Sequence, residues 1–233
     1  MKKNITIGIE GLVGSGKTSI CRELLDMVPN SIVLHGGNLY RGIVVALMNS
    51  KIDIKLMMQK EPKKNIDIKQ IMDGLKVELR LENRESVVYV DNRKIEEEEL
   101  QSDKASMAVS SVALNADNSK FYTFGKHIID EFKKNYNVIV SGRDLMKIYP
   151  NLDYHFFITA SLESRVERKA KQYKNDKELT IKDLEEHIKK RDELQEKAGY
   201  YEKYANTIDI DTTECKTVKE SAEKVFEFIK VGI

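Results

Sequence analysis

The stretch Gly11-Leu12-Val13-Gly14-Ser15-Gly16-Lys17-Thr18 fits G-x-x-x-x-G-K-[ST] at every fixed position. Ahead of it, Ile5, Ile7 and Ile9 alternate with Thr6 and Gly8, the period of a strand. After it, Ile20, Leu24 and Val28 recur at helical spacing until Pro29 stops the run. Strand, glycine-rich loop and helix in that order make a phosphate-binding loop. Successive backbone N–H groups of such a loop form an anion nest, and the helix adds its unpaired N–H groups and positive dipole end. Gly11, Gly14 and Gly16 permit backbone angles and approaches that a Cβ blocks. Lys17 is placed to reach the β- and γ-phosphates of a nucleotide, and the Thr18 hydroxyl to ligate Mg²⁺.

Further along, Ser31–Leu34 reads as a second strand broken by His35-Gly36-Gly37, with a helix from Asn38 that carries Tyr40 and Arg41. Arg41 is a candidate for a second phosphate group, with an ordinary solvated arginine as the alternative. Val77, Leu79 and Leu81 alternate with charged residues and are answered by Val87–Val90 and Lys94-Ile95, the pattern of a small antiparallel meander inserted into an α/β chain. Glu96–Glu99 reads as a solvated acidic run at a helix start, and two helices are expected near 100–114 and 119–134. Asn137–Val140 is an apolar run typical of a buried parallel strand, ending in Ser141-Gly142-Arg143-Asp144. Ligands of open α/β sheets bind beyond the carboxyl ends of strands. Asp144 is therefore a candidate for Mg²⁺ or an acceptor hydroxyl, and Arg143 for a transferring phosphate; a plain Arg–Asp pair at the strand end is the alternative.

His155–Ile158 is the next strand, and Ser161 caps a helix with Leu162, Val166, Ala170 and Tyr173 on one face and Arg165, Arg168 and Lys169 on another. A polar connection over 171–179 leads to a Thr180/Asp183 cap, then a helix lined by Leu184, Ile188 and Leu194 and closed by Gly199. Two basic-faced helices in succession suggest a lid over phosphates; two ordinary solvated helices remain the alternative. Ile208–Asp211 is the last strand, and Thr217-x-x-Glu220 opens a C-terminal helix with Val218, Val225 and Ile229 near one face.

Composition narrows the partners. Lys+Arg number 39 and Asp+Glu 38, which argues against a bulk nucleic-acid binder. The only cysteines, Cys21 and Cys215, form no C-x-x-C pair, and His35, His127, His155 and His187 lack metal-ligand spacing. No run approaches the ~18 apolar residues of a membrane span. Glu10, Lys17 and the glycines interrupt the first apolar stretch too soon for a signal peptide. A monomeric cytoplasmic protein acting on small molecules is the expectation.

In sum the chain resembles a nucleoside monophosphate kinase, and within that group bacterial cytidylate kinase, over roughly 5–225. Gly36-Gly37-Asn38-Leu39-Tyr40-Arg41 resembles the family's S-G-x-x-Y-R segment, and the meander with Ser110-Ser111 its enlarged monophosphate-binding insert. Ser141-Gly142-Arg143-Asp144 resembles its G-R-D strand end, and Arg165–Lys169 with Ile188–Asp192 its lid helices. The resemblance implies a three-layer P-loop α/β fold with a central parallel sheet, a core of about 1–40, 115–170 and 200–233, a small antiparallel insert of about 41–114 and a helical lid of about 171–199. It implies Mg²⁺-dependent phosphoryl transfer from ATP to CMP or dCMP. Gly11–Thr18 then binds ATP, with Thr18 and Asp144 toward the metal. Gly36, Tyr40, Arg41, Ser110, Arg143, Asp144 and Asp192 serve the acceptor. Arg165, Arg168 and Arg191, with Lys17 and Arg143, neutralise the transferring charge.

Some positions depart from the family pattern. Gly36 replaces its serine, Leu145-Met146-Lys147 lacks the glycine that follows G-R-D, and Glu193-Leu194-Gln195-Glu196 stands where further arginines are expected. An insert arginine is matched only by something like Lys120. A different small-molecule acceptor, and a nucleotide-binding regulatory role with weak turnover, therefore remain alternatives.

Overall fold

A computed structural model describes residues 4–49, 74, 76–96, 99–100, 119–172 and 180–229. Its elements run β1 (Thr6–Gly11), α1 (Lys17–Met27), β2 (Ser31–His35), α2 (Gly36–Asn49), β3 (Val77–Glu82), β4 (Glu85–Val90) and β5 (Arg93–Lys94). They continue with α3 (Ser119–Lys133), β6 (Asn137–Ser141), α4 (Leu145–Ile148), β7 (Tyr154–Thr159), α5 (Leu162–Gln172), α6 (Ile181–Lys197), β8 (Thr207–Asp211) and α7 (Val218–Phe226). The strands join in one sheet of order β3-β4-β2-β6-β1-β7-β8, with β5 beside β4. β2, β6, β1, β7 and β8 are parallel to one another.

β1, β2 and β6 are buried almost throughout, yet their side chains still alternate between two faces. Ile7, Ile9, Val33, Ile139, Phe156 and Ile158 meet Ile20, Leu24, Val28, Ala222 and Val225 of α1, its C-cap and α7. Ile32, Leu34, Val138 and Val140 turn the other way, onto Ile129, Leu145, Tyr149 and Leu152. The result is the three-layer α/β arrangement expected. Asp153 fastens α3 to the sheet, its carboxylate accepting from Thr6 N (2.8 Å) and Lys133 Nζ (2.9 Å).

The antiparallel meander joins the edge of the parallel sheet through β4. Asn83 and Arg84 are both left-handed (φ 49° and 67°), the tight turn that a two-residue hairpin needs. The Arg84 carbonyl accepts from Val33 N at 2.8 Å, and Val33 and Glu85 are register partners, which joins β4 to β2 in parallel. The Arg84 guanidinium donates to Leu25 O and Asp26 Oδ1, both at 2.7 Å, holding the hairpin turn to α1. Glu85 adds an ion pair to Arg22 (2.9 Å) and a hydrogen bond with His35 Nε2 (2.7 Å).

Several boundaries and faces differ from expectation. His35 belongs to β2, and α2 starts at Gly36 rather than Asn38. Leu194 is 48 % exposed: it follows Ile188 by six residues, which turns it off the apolar stripe. Val218, at 42 %, likewise faces solvent, while Val225 and Ile229 are buried. The Thr217 hydroxyl caps Glu220 N, but the Glu220 carboxylate accepts from Lys216 N (2.8 Å), so the box is shifted by one residue. Of the expected helix at 100–114 only Leu100 is described, helical and buried; the rest, with Ser110, lies outside the described residues. The polar connection expected over 171–179 starts later, since α5 runs to Gln172, and 173–179, with Tyr173, lies outside the described residues. No helix among the described residues is long and apolar enough to cross a membrane.

Candidate active site

Five segments meet at the carboxyl edge of the parallel strands: the loop after β1, the start of α2, the turn after β6, the helix after β7, and α6. β2 lies to one side of β1 and β7 to the other, so the chain diverges there and leaves a crevice.

The loop has the geometry its glycines allow. Gly11, Gly14 and Gly16 sit at φ 143°, 77° and 92°. A Cβ on Gly11 would stand 2.1 Å from the Ile158 carbonyl oxygen, so only glycine lets β1 leave the sheet there. Ser15 Oγ donates to Leu12 O at 2.9 Å. Lys17 Nζ donates to Gly11 O (3.0 Å) and Leu12 O (2.7 Å), curling back over the loop. Burial, then the charges of Arg143 and Arg191, hold the Lys17 ammonium well below the usual lysine range; Asp192 opposes them. Thr18 is exposed in the first turn of α1.

α5 and α6 clamp this loop. Val13 is buried with Val166, Leu184 and Ile188, and Leu162 and Ala170 lie against them. Both helices are capped as expected, by Ser161 Oγ on Ser164 N (3.2 Å) and by a reciprocal Thr180–Asp183 box. Arg165, expected to close over phosphates, is buried instead: it donates to Ala160 O (3.1 Å) and Val13 O (3.0 Å) and pairs with Asp192. Asp192 also accepts from Val13 N (3.1 Å) and from the Tyr201 hydroxyl. One carboxylate thus fastens α6 to both α5 and the phosphate loop. Arg168 ties the loop to the chain after β8, donating to Ser15 O (3.4 Å), Thr212 O (2.6 Å) and Thr212 Oγ1 (3.1 Å).

The turn after β6 keeps Arg143 and Asp144 apart, which rules out the plain Arg–Asp pair. Asp144 is left-handed (φ 52°) and does not cap α4 with its side chain. Glu10, 2 % exposed at the end of β1, does so instead: its Oε1 accepts from Leu145 N (3.0 Å), and its Oε2 meets His155 Nε2 at 2.6 Å. Asp144 is left to the Tyr122 hydroxyl (2.6 Å) and Lys147 Nζ (3.1 Å). The Arg143 guanidinium donates to Gly142 O (3.1 Å) and, through Nε (3.0 Å) and Nη2 (2.7 Å), to Gln195 Oε1. Burial lowers its pKa first, with Arg191 adding to the effect.

Charge converges on this crevice. Arg191 lies near enough to Lys17, Arg143 and Lys169 to lower all three, and Arg41 acts on Lys169 as well. Arg41 Nη1 reaches Asn38 Oδ1 at 3.4 Å. Beside the cations stand Tyr40, Tyr122 and Tyr200, all with hydroxyls pushed up chiefly by burial. Gly36 abuts the β6 end, where a Cβ would lie 3.3 Å from Ser141 O. Sequence reasoning singled out Lys17, Arg41, Arg143 and Arg191, and the structure brings them together. It did not single out Glu10, Gln195, Tyr122 or Tyr201, and it read Lys169 only as part of a basic face.

An open, mostly parallel sheet with a phosphate loop at its switch point and cations around it fits a P-loop phosphotransferase. The cytidylate kinase family model matches residues 7–231. The chain is 24% identical to a cytidylate kinase from Halalkalibacterium halodurans, covering 98% of each. It is 28% identical to one from Caldanaerobacter subterraneus, covering 97% of this chain and 95% of that protein. A bifunctional pantoate ligase/cytidylate kinase from Prochlorococcus marinus is 31% identical over 82% of this chain and 36% of its own length. Among solved structures the chain is similar to TT1252 from Thermus thermophilus, at 16% identity and a TM-score of 0.47 over 99% of this chain and 100% of that one. The chain belongs to the cytidylate kinase family. It is a nucleoside monophosphate kinase that uses ATP as phosphoryl donor.

Proposed function

We propose that this enzyme transfers the γ-phosphoryl group of Mg·ATP to CMP or dCMP, giving CDP or dCDP and ADP. The observation that carries the reading is the convergence of Lys17, Arg41, Arg143, Lys169 and Arg191 on one crevice. Three of these cations, Lys17, Arg143 and Lys169, are desolvated, which costs stability in an isolated chain, and a triphosphate donor with a monophosphate acceptor relieves that cost. Membership of the cytidylate kinase family supports a pyrimidine acceptor.

In this reading the loop N–H groups of Gly14, Gly16, Lys17 and Thr18 and the Lys17 ammonium hold the β- and γ-phosphates, while those of Leu12, Val13 and Ser15 stay bonded to Ile158 O, Asp192 and Leu12 O. Arg41 holds the acceptor phosphate, Arg143 stands between acceptor and donor, and Arg191 and Lys169 approach from the lid. An acceptor phosphate oxygen attacks the γ-phosphorus, the bond to the bridging oxygen of ADP breaks, and ADP leaves with that electron pair. A phosphate monoester is largely dianionic at neutral pH (second pKa about 6), so its nucleophilic oxygen carries no proton to remove. Asp144, already accepting from Tyr122 and Lys147, accordingly serves to bind and orient the acceptor rather than as a base. Arg165, Asp192 and Arg168 set the loop and lid in place, and closure of α6 excludes water that would otherwise take the phosphoryl group. The segment 41–114 serves the acceptor, and 171–199 the closure.

The donor set suits Mg²⁺. Among the described residues no cluster of three carboxylate, His or Cys side chains exists, and the exposed Thr18 hydroxyl stands at the loop mouth. Mg²⁺ is commonly held by one or two protein oxygens with phosphates and water supplying the rest. Thr18 would hold it directly and Asp144 through water. When bound, the ion neutralises charge on the β- and γ-phosphates.

The test is an acceptor panel: ADP release with Mg·ATP and CMP, dCMP, UMP, AMP or GMP, against a control without acceptor. Selective stimulation by CMP or dCMP is expected. Stimulation by another base alone would move the assignment to that acceptor, and Gly36, which lacks the hydroxyl of the serine expected at that position, favours this second reading. ATP binding with no stimulated release would leave a nucleotide-binding regulator.

A further inference from the structure

Two arginines at this site are held by α6, one turn apart and in opposite ways. Arg165, buried at the base of the loop, is matched with a carboxylate, Asp192. Arg143, in the crevice, is matched with a neutral amide: Gln195 Oε1 accepts from both its Nε and its Nη2. Residues 192 and 195 share one helix face, so either arginine could have been given a carboxylate. The amide is itself fixed. Gly199, at φ 76°, ends α6 with Gly199 N on Glu196 O (2.9 Å) and Tyr200 N on Gln195 O (3.0 Å). That reversal brings the Tyr201 hydroxyl back onto Gln195 Oε1 (3.1 Å) and Asp192.

We infer that Gln195 is a positioning residue that aims the Arg143 guanidinium into the crevice while leaving its charge undivided for phosphate. A carboxylate there would make the same hydrogen bonds and add an ion pair, so fold stability alone would favour Glu. Its charge, however, would compete with the phosphate that Arg143 binds. The charged and titratable groups around Arg143 agree with this division. Lys17 of α1 and Arg191 of α6 are cations, Tyr200 and Tyr201 are neutral phenols, and Glu10 of β1 is spent on His155 and Leu145 N. The inference rests on the reading that Arg143 contacts phosphate.

The experiment sets Gln195→Glu and Gln195→Ala beside the wild type. It measures ligand-free Tm, ATP affinity by calorimetry, and kcat and KM for CMP. Q195E should raise Tm by a few degrees, as a new partly buried ion pair allows, yet lower kcat/KM about tenfold or more, chiefly through kcat. Q195A should lower both Tm and kcat/KM. Wild-type kcat/KM in Q195E would overturn the inference, since a merely structural amide is replaceable by Glu. A Tm drop in Q195E together with lost activity would also overturn it, because the loss would then be one of fold. If the wild type itself transfers to no monophosphate, the functional reading fails. The ATP affinity of Q195E, expected to fall about tenfold, still judges the charge argument.

Discussion

Removing the charge of Asp192 should loosen α6 and the phosphate loop together. Asp192→Asn keeps the size of the side chain and one carbonyl oxygen, which can still accept from Val13 N or Tyr201. It strips the counter-charge from Arg165, whose side chain is only 8 % exposed. Breaking a buried ion pair by removing one partner costs about 3–5 kcal/mol. Two features reduce that here. Asp192 is 18 % exposed, and Arg165 keeps its bonds to Val13 O and Ala160 O. We therefore expect a loss of about 2–3 kcal/mol, or roughly 4–12 °C in Tm for a chain of this size. Urea unfolding followed by tyrosine fluorescence measures it, since the chain has ten Tyr and no Trp. The Val13 amide should also exchange with solvent faster, because it loses its carboxylate acceptor. Arg165→Met with Asp192→Leu should be milder than either single change, since no buried charge is then left alone. A change under about 0.5 kcal/mol in D192N would refute the claim that this pair holds α6 down.

Three further outcomes follow. Lys17 has a depressed pKa in the free protein, and polyphosphate favours its charged form, so ATP binding should take up protons at a pH between the two values. Calorimetry in buffers of different ionisation enthalpy should detect that uptake in the wild type and not in Lys17→Met. The same depression means that the unfolded chain binds the extra proton, so ligand-free stability should rise with pH toward the ordinary lysine value, about 10.4. Gly11→Ala should fail to fold or lose more than about 4 kcal/mol, because its Cβ would strike the Ile158 carbonyl; expression and thermal melting check it. Asp153→Ala should cost about 1–3 kcal/mol by leaving Thr6 N–H without its acceptor and Lys133 without its carboxylate, measured by urea unfolding.

The parts of the fold readable from sequence are those fixed by local pattern. β1, its loop and α1 were legible because alternation, glycine spacing and a helical stripe agree within two dozen residues. β6 was legible from its apolar run, and α6 from its Thr180–Asp183 cap. What escaped depends on contacts between distant segments. Glu10 looked like an interruption of an apolar stretch; it is a buried cap for a helix more than a hundred residues away. Gln195 and Tyr201 carry no local signal, since amides and phenols are common on surface helices and loops. One trace was available. Leu184 and Ile188 continue at helical spacing into Asp192 and Gln195 rather than Leu194, so the buried face of α6 turns polar where it crosses the site. Arg165 was read as free to close over phosphate because nothing local shows the carbonyls of Val13 and Ala160 around it.

The most direct measurement of the central claim is product formation. Purified protein is mixed with Mg·ATP labelled at the γ-phosphate and CMP, and the labelled species are separated by chromatography. The account expects label in CDP, formed with one ADP per CDP, and lost in Lys17→Met and Arg143→Ala proteins that still fold. Label appearing only as inorganic phosphate, or in CDP at the same rate without Lys17, would contradict it.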